Sequence, residues 1–293
     1  MDDLISVLMS VYKEPLEYIK DSLESILNQS YKHIEVIIIV DDPHNRETIE
    51  FLAGYGKRDS RIKIIINEIN MGLPKSLNRG LQHCTGKYIA RMDADDICCL
   101  ERLEKQKNYL ESKNLDLIGS QYDTFYQEID KVLWMENVPD ETELDKTIRV
   151  SSCLPHPTWF GKREVFINNK GYRDILACED YDFLIRAKKS NFKMGNIKKT
   201  LLHYRLNPKS ISHINKLEQK VIFKYLSYNY KKNHIVSFEE YTNFINKSYD
   251  YIHLKKAYNL VLAAKKMKGY KKIVILLKLV KQTETLRVYM KYK

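Results

Sequence analysis

Residues Glu35–Val40 read EVIIIV, a run that places apolar side chains on both faces a strand presents. Successive strand residues point to opposite sides, so such a run has no face left for water. It belongs inside a parallel sheet that is covered by helices on both faces. The neighbouring segments make the same demand. Leu4–Val11 is a compact apolar run; after Lys13-Glu14-Pro15, residues Leu16, Ile19, Leu23, Ile26 and Leu27 recur at helical spacing, with Pro15 in the first turn. A helical stretch over Arg46–Lys57, a buried strand over Ile62–Ile66, a helix over Leu73–Gln82 and a strand over Lys87–Met92 follow. Strand and helix alternate through the first hundred residues, which predicts an α/β fold with a doubly wound, mostly parallel sheet.

The pattern changes after Asp96. Glu101–Lys113 reads as a polar amphipathic helix and Asp116–Ser120 as a short strand, whereas Tyr122–Met135 has β character without clean alternation. Glu141–Val150 and Tyr181–Ser190 look helical, and beyond about Ile214 the chain is a helical extension rich in Lys, Tyr and Asn. Five cysteines, with no CxxC spacing, read as reduced thiols of a cytoplasmic protein. Met1-Asp2-Asp3 offers no basic start to a secretory signal. No apolar stretch approaches the roughly 18–20 residues that span a bilayer.

Charge is distributed unevenly. The net charge is +11, and Tyr251–Lys293 holds twelve Lys or Arg against one acid, Glu284, so the rest is close to neutral. No nucleic-acid-binding module accompanies the surplus, which argues against a nucleic-acid partner. Lysine pairs interleaved with apolar residues suit an anionic membrane surface, at the inner face of the cell membrane. A packed helical cap with a solvated basic face is the other reading.

Polar groups collect where the predicted strands end: Ser10, Tyr12 and Glu14 after the first, Asp41 and Asp42 after the second, Asp93, Asp95 and Asp96 after the fourth. Ligands of open α/β sheets bind in the crevice outside those ends. Each acid alone has a structural reading as a helix cap. Crowded together they repel unless a cation is present. Asp93-Ala94-Asp95 suits Mg²⁺ or Mn²⁺, which would bridge a diphosphate and offset the charge that grows on it as it leaves.

These segments carry a resemblance. SVLMSVYKE (Ser6–Glu14), IIIVDD (Ile37–Asp42), NMGLPKSLNRG (Asn70–Gly80) and GKYIARMDADD (Gly86–Asp96) resemble family 2 of the inverting glycosyltransferases. HPTWFGKREVF (His156–Phe166), CEDYDFLIR (Cys178–Arg186) and YRLNPKSIS (Tyr204–Ser212) continue it in the family's order, as far as Ser212. The resemblance implies the glycosyltransferase A-type fold. It divides the chain into a nucleotide-sugar-binding half over 1–100, an acceptor-binding half over 101–214 and a basic helical region over 215–293. It implies a nucleotide-sugar donor, UDP-linked on family frequency, and a surface glycan or lipid-linked oligosaccharide as acceptor.

By the same resemblance, Ser10, Val11, Tyr12 and Glu14 hold the nucleotide together with Asp41 and Asp42, and Asn70 and Gly72 join them. Arg91, Asp93 and Ala94 lie beside the ribose and diphosphate, and Asp95, with Asp93, takes the metal. Asp180 is the general base, Glu179 its neighbour, and Arg186 orients the acceptor or pairs with a carboxylate. A base on the acceptor side agrees with the chemistry of inversion, where attack comes from the face opposite the departing diphosphate. Glu179 and Asp180 also open a predicted helix, whose N-terminus favours ionised carboxylates and is their plain structural reading.

Some positions depart from the family pattern. Pro43-His44 replaces the usual Gly-Ser, and Leu77 replaces an Arg, for which Lys75 or Arg79 are the substitutes. His156 divides evenly between acceptor pocket and packing; His203 reads as a packed histidine before a metal ligand, and Cys98-Cys99 as packing. Two rivals remain. A nucleotide-sugar-forming nucleotidyltransferase calls for a Gly-rich, basic loop after the first strand, where this chain has SVYKEPL. A non-catalytic glycan-binding or scaffold protein has no need of both Asp95 and Asp180.

Overall fold

The structure, a computed structural model, describes residues 3–207, 215–246 and 248–293, and no side chain at 269 or 271. The end of the Tyr204–Ser212 segment and the boundary expected at 214 lie outside the described residues. The chain forms two compact units. One holds Met1–Ile148, Ser152–Asp174 and Arg186–Asn207; the other holds Arg149–Ser151, Ile175–Ile185 and Pro208–Lys293.

The first unit opens with the expected alternation: β1 (Ile5–Val11), α1 (Leu16–Leu27), β2 (Ile34–Val40), α2 (Arg46–Arg58), β3 (Ile62–Ile66), α3 (Leu73–Leu81) and β4 (Tyr88–Asp93). There follow β5 (Ile97–Cys98), α4 (Arg102–Ser112), β6 (Leu117–Phe125), β7 (Trp134–Glu136) and α5 (Glu141–Thr147). After a 3₁₀ turn at His156–Thr158 come β8 (Phe160–Lys162), α6 (Arg163–Asn168), α7 (Glu179–Lys189) and β9 (Met194–Arg205). Helix α7 divides between the units after Ile185.

Among the described residues the nine strands join one sheet, in the order β3-β2-β1-β4-β8-β6-β9-β5 with β7 beside β6. β1 pairs in parallel with β2 and β4, as do β2 with β3 and β6 with β9; the pairings of β5, β7 and β8 are antiparallel. The apolar run of β2 is buried on both faces, as its composition requires. Ile19, Leu23 and Ile26 of α1 face the sheet core, and Pro15 stands at the N-cap of that helix, one position before its first turn. Gly80 lets α3 come close, because a Cβ there would run into Leu8 Cδ1.

One stretch differs from expectation. The strand expected over Asp116–Ser120 continues to Phe125, and β6 pairs with β9 along nine positions with register shifts around Gln121. Beyond the shifts Asp123, Thr124 and Phe125 are buried in succession, so Tyr122–Phe125 shows no clean apolar–polar alternation although it is strand.

The second unit is helical where described: α8 (Lys216–Lys231), α9 (Phe238–Ile245), α10 (Tyr249–Lys265), α11 (Gly269–Lys281) and α12 (Thr283–Lys291). A capping box between Ser237 and Glu240 starts α9. α10 packs against α8, α11 and α12 around Val221, Phe244, Leu254, Tyr258, Val288 and Tyr292. Among the described residues no helix is long and apolar enough to cross a membrane.

Candidate active site

The register of the parallel strands sets the ends of β1, β2 and β4 side by side. Ser10 of β1 lies opposite Ile39 of β2 and Asp93 of β4, and Asp41 N–H donates to Val11 O at 2.7 Å. The three polar clusters therefore meet at one edge, as expected of a crevice at strand carboxyl ends.

The two acids after β2 have separate roles. Asp41 is buried and its carboxylate is saturated. Oδ1 accepts from Asn67 Nδ2 at 2.6 Å and Met71 N–H at 2.8 Å, and Oδ2 accepts from Gly72 N–H at 2.9 Å. It ties the end of β2 to the start of α3, where Gly72 caps the helix at φ 79°, a left-handed conformation that favours glycine. Asn67 is fixed in turn by Ser76 Oγ and by Arg79 Nη1, which also donates to Ile66 O. Arg79 is thus committed to the loop, and Lys75 pairs with Asp174 at 3.0 Å. Asp42 is half-buried, and its Oδ1 accepts from His44 N–H at 3.0 Å, an Asx turn across Pro43.

On the β1 side, Glu14 Oε2 accepts from Tyr12 N–H at 2.7 Å. Burial raises the pKa of Glu14 above the ordinary carboxylate range, and Asp93 adds to the shift. Tyr12 is exposed, with Lys13 Nζ 4.7 Å from its ring centroid.

Beyond β4 the charge balance is different. Arg91 is buried and ion-paired with Asp93. Asp93, Asp95 and Asp96 each bring a carboxylate oxygen within 4.8 Å of the others, and Ala94 is buried between them in sequence. Burial pushes the pKa of Asp95 up to about 7, helped by Asp93 and Glu14. Asp96 is fully buried and lies well above its usual range, first from burial and then from Asp95 and Asp93. Its Oδ2 has no hydrogen-bond partner among the described residues. A buried acid left short of donors is costly unless it is neutralised or paired.

The turn is held from outside by Arg205, at the end of β9. Its N–H donates to Asp96 Oδ1, its Nε to Asp95 O and its Nη2 to Asp21 Oδ2, each at 2.9 Å. The guanidinium also packs over the rings of Tyr18 and Phe125, 4.1 and 4.6 Å from their centroids. Ser22 Oγ donates to Asp93 O at 2.9 Å. The sequence singled out neither Arg205 nor Ser22. Arg205 does fall inside the YRLNPKSIS segment, the one signal that could have found it.

The histidines are built into the structure. His156 is buried against Trp159, with Nε2 3.1 Å from the Tyr172 hydroxyl, and burial holds its pKa well below the usual value. His203 Nδ1 lies 2.7 Å from Asp123 Oδ1, and its Nε2 lies 3.4 Å from Cys99 Sγ. Cys98 Sγ accepts from Arg102 Nη1 at 3.2 Å, inside the core. Arg186 donates from Nη1 to Asn169 O and from Nη2 to Gly171 O, so its guanidinium braces the turn after α6.

Glu179 and Asp180 belong to the second unit, in the first turn of α7. The segment before them is pinned there. Leu176 N–H donates to the Tyr241 hydroxyl at 3.1 Å, and Gln219 Nε2 donates to Ala177 O at 3.0 Å. The Cys178 thiol is pushed well up, by burial first and then by Asp180, Glu179 and Asp182.

Comparison with known proteins decides what kind of crevice this is. The model of glycosyl transferase family 2 matches residues 6–169. The chain belongs to glycosyl transferase family 2. Among family relatives, it is 34% identical over 226 residues to an uncharacterized glycosyltransferase of Methanocaldococcus jannaschii, covering 76% of this chain and 77% of that one. It is 33% identical over 210 residues to the O-antigen biosynthesis glycosyltransferase WbnJ of Escherichia coli, covering 71% and 82%. Staphylococcus aureus TarS 1-349 in complex with UDP-GlcNAc matches with a TM-score of 0.63 at 15% identity, over 97% of this chain and 89% of that chain. The mannosyltransferase PcManGT of Pyrobaculum calidifontis in complex with GDP-Man and Mn²⁺ gives 0.61 at 13% identity, over 98% and 84%. These two likenesses show the fold, which is the glycosyltransferase A type.

Proposed function

We propose that this glycosyltransferase moves a sugar, with inversion, from a nucleoside diphosphate donor to a hydroxyl of a surface glycan or lipid-linked oligosaccharide. The observation that carries the reading is the turn after β4. Three carboxylates share a space of 4.8 Å, the pKa of Asp95 is raised to about 7 and Asp96 Oδ2 is unpartnered among the described residues. A hard divalent cation, Mg²⁺ or Mn²⁺, fits that donor set, with Asp95 and Asp93 as its holders. When bound it would supply charge neutralisation for the departing diphosphate.

The chain's own residues do the rest. Ser10, Val11, Tyr12, Glu14 and Asp42 line the nucleotide side, while Asp41 shapes the loop that carries Asn70 and Gly72. Arg91 pairs with Asp93 beside the diphosphate. Asp180 accepts the proton of the acceptor hydroxyl, and Glu179 keeps the helix start acidic. In this reading residues 1–100 serve the donor, 101–214 the acceptor, and 215–293 form the basic helical region. Support comes from the relatives: WbnJ acts in O-antigen biosynthesis, TarS is bound to UDP-GlcNAc and PcManGT to GDP-Man with Mn²⁺. A UDP-sugar is the first donor to try.

A panel of nucleotide sugars, assayed for release of nucleoside diphosphate with and without Mn²⁺ or Mg²⁺, tests the reading. One donor is expected to be turned over only with metal. Asp180→Asn is expected to keep UDP binding and to lower transfer by about 10²–10⁴-fold, the contribution of a positioned general base. Near wild-type turnover in Asp180→Asn, with Glu179→Gln inactive, would move the base to Glu179.

A further inference from the structure

The basic tail divides into helices that turn their apolar side into the core and one that leaves most of its apolar side exposed. α10 and α12 turn Leu254, Tyr258, Val288 and Tyr292 into the core of the second unit. On α11, by contrast, Ile273, Leu277 and Val280 are 55%, 50% and 54% exposed, and Leu276 and Tyr270 are exposed with them. These positions are separated by three, four and seven residues, which places them on one face of a helix. Among the described side chains of α11 only Leu279 is buried, on the flank that also carries Lys272. At about 3.6 residues per turn, Lys272 flanks the apolar stripe on one side and Lys278 and Lys281 on the other. All three lysines are exposed, and no acid occurs in α11.

We propose that α11 docks on an anionic phospholipid surface, with the stripe in the headgroup–acyl boundary and the lysines at lipid phosphates. The charge pattern chooses this occupant. A second copy meeting the same face would set lysines against lysines. A polyanion without an apolar phase would satisfy the lysines and leave Ile273, Leu277 and Val280 in water. A bilayer interface takes both. With 13 residues, α11 is about 20 Å long at ~1.5 Å per residue, too short to cross and suited to lying flat. The docking stands on this helix alone; joined to the proposed transfer, it would bring the enzyme to an acceptor carried on lipid.

The test is flotation of the full chain with phosphatidylcholine vesicles and with vesicles containing about one third phosphatidylglycerol. Binding is expected to be at least about tenfold tighter on the anionic vesicles and to weaken about tenfold between low and high salt. The double variant Ile273→Ser, Leu277→Ser and the triple variant Lys272→Gln, Lys278→Gln, Lys281→Gln are each expected to lose about tenfold in vesicle affinity. Both change exposed positions, and unchanged thermal unfolding together with unchanged donor turnover in solution would show that the loss is docking. The proposal is overturned if the wild-type chain ignores anionic vesicles at low salt. It is equally overturned if the serine variant floats like wild type. A wild-type dimer that the serine variant dissociates, without vesicle binding, would give the face to a second copy instead. Loss of donor turnover in every form would count against the transfer reading and leave the docking result standing.

Discussion

Two carboxylates at the ends of neighbouring strands illustrate how differently one residue type is used. After β2, Asp41 is buried and met by three N–H donors, from Asn67, Met71 and Gly72. After β4, Asp96 is buried with one oxygen unpartnered among the described residues, and the pKa of Asp95 is raised to about 7. Three donors let the first acid tie the loop before α3. The second is short of donors, the condition that the proposed cation would relieve.

The largest test of that contrast is Asp95→Asn, expected to lower donor turnover about 10³-fold by removing a holder of the diphosphate's counter-ion. Its stability should move the other way. The folded Asp95 holds its proton up to about pH 7, whereas an unfolded aspartate releases it near pH ~4. Between those values the native state binds more protons, so its stability falls as pH rises. In chelator, thermal unfolding should therefore find the variant level with wild type below about pH 4 and more stable at pH 8. A variant less stable than wild type at pH 8 would place Asp95 with Asp41 among the structural ties.

Asp41→Ala is expected to cost about 3 kcal/mol, because the buried Asn67 amide and the half-buried N–H groups of Met71 and Gly72 lose their acceptor. Denaturant unfolding measures it. A loss below about 1 kcal/mol, with donor binding abolished, would mean that Asp41 acts on the donor and not on the loop.

Arg205→Lys keeps a charge but loses the fork that reaches Asp95 O and Asp21 together. Donor affinity in Mn²⁺ is expected to weaken by about 10–100-fold while the fold survives, as for other groups that orient metal ligands. Calorimetric titration with UDP reads this, and an unchanged affinity would remove Arg205 from the positioning of the turn. The smallest effect is expected of Gly72→Ala, about 1 kcal/mol, from a side chain placed at φ 79° with open space around it. Equal stability of the two proteins would show that the loop relaxes without strain.

Much of the fold of the first hundred residues is legible in the amino-acid sequence. The burial patterns of β1 to β4 are local properties of the chain, so their order and the acids that follow them can be read directly. The same holds for the helix that Glu179 and Asp180 open. Tyr122–Phe125 is less legible because polar Asp123 and Thr124 are buried beside Phe125, which erases the alternation that marks a strand. Arg186 shows a different limit. A basic residue after an acidic pair invites a functional role, yet two of its nitrogens donate to the carbonyls of Asn169 and Gly171. Likewise the basic tail is visible as composition, but composition is silent on which of its helices bury their apolar side.

By itself the sequence determined a parallel α/β sheet with acids at three strand ends, because alternation, apolar runs and strand order are written in neighbouring residues. Only the tertiary structure decided which acids are satisfied. Asn67 reaches the Asp41 carboxylate across 26 positions, and the Arg205 N–H reaches Asp96 Oδ1 across 109. The state of a buried carboxylate depends on donors within about 3 Å. Those donors arrive from distant segments, so nothing near Asp41 or Asp96 in the chain distinguishes the acid that is satisfied from the one that is not.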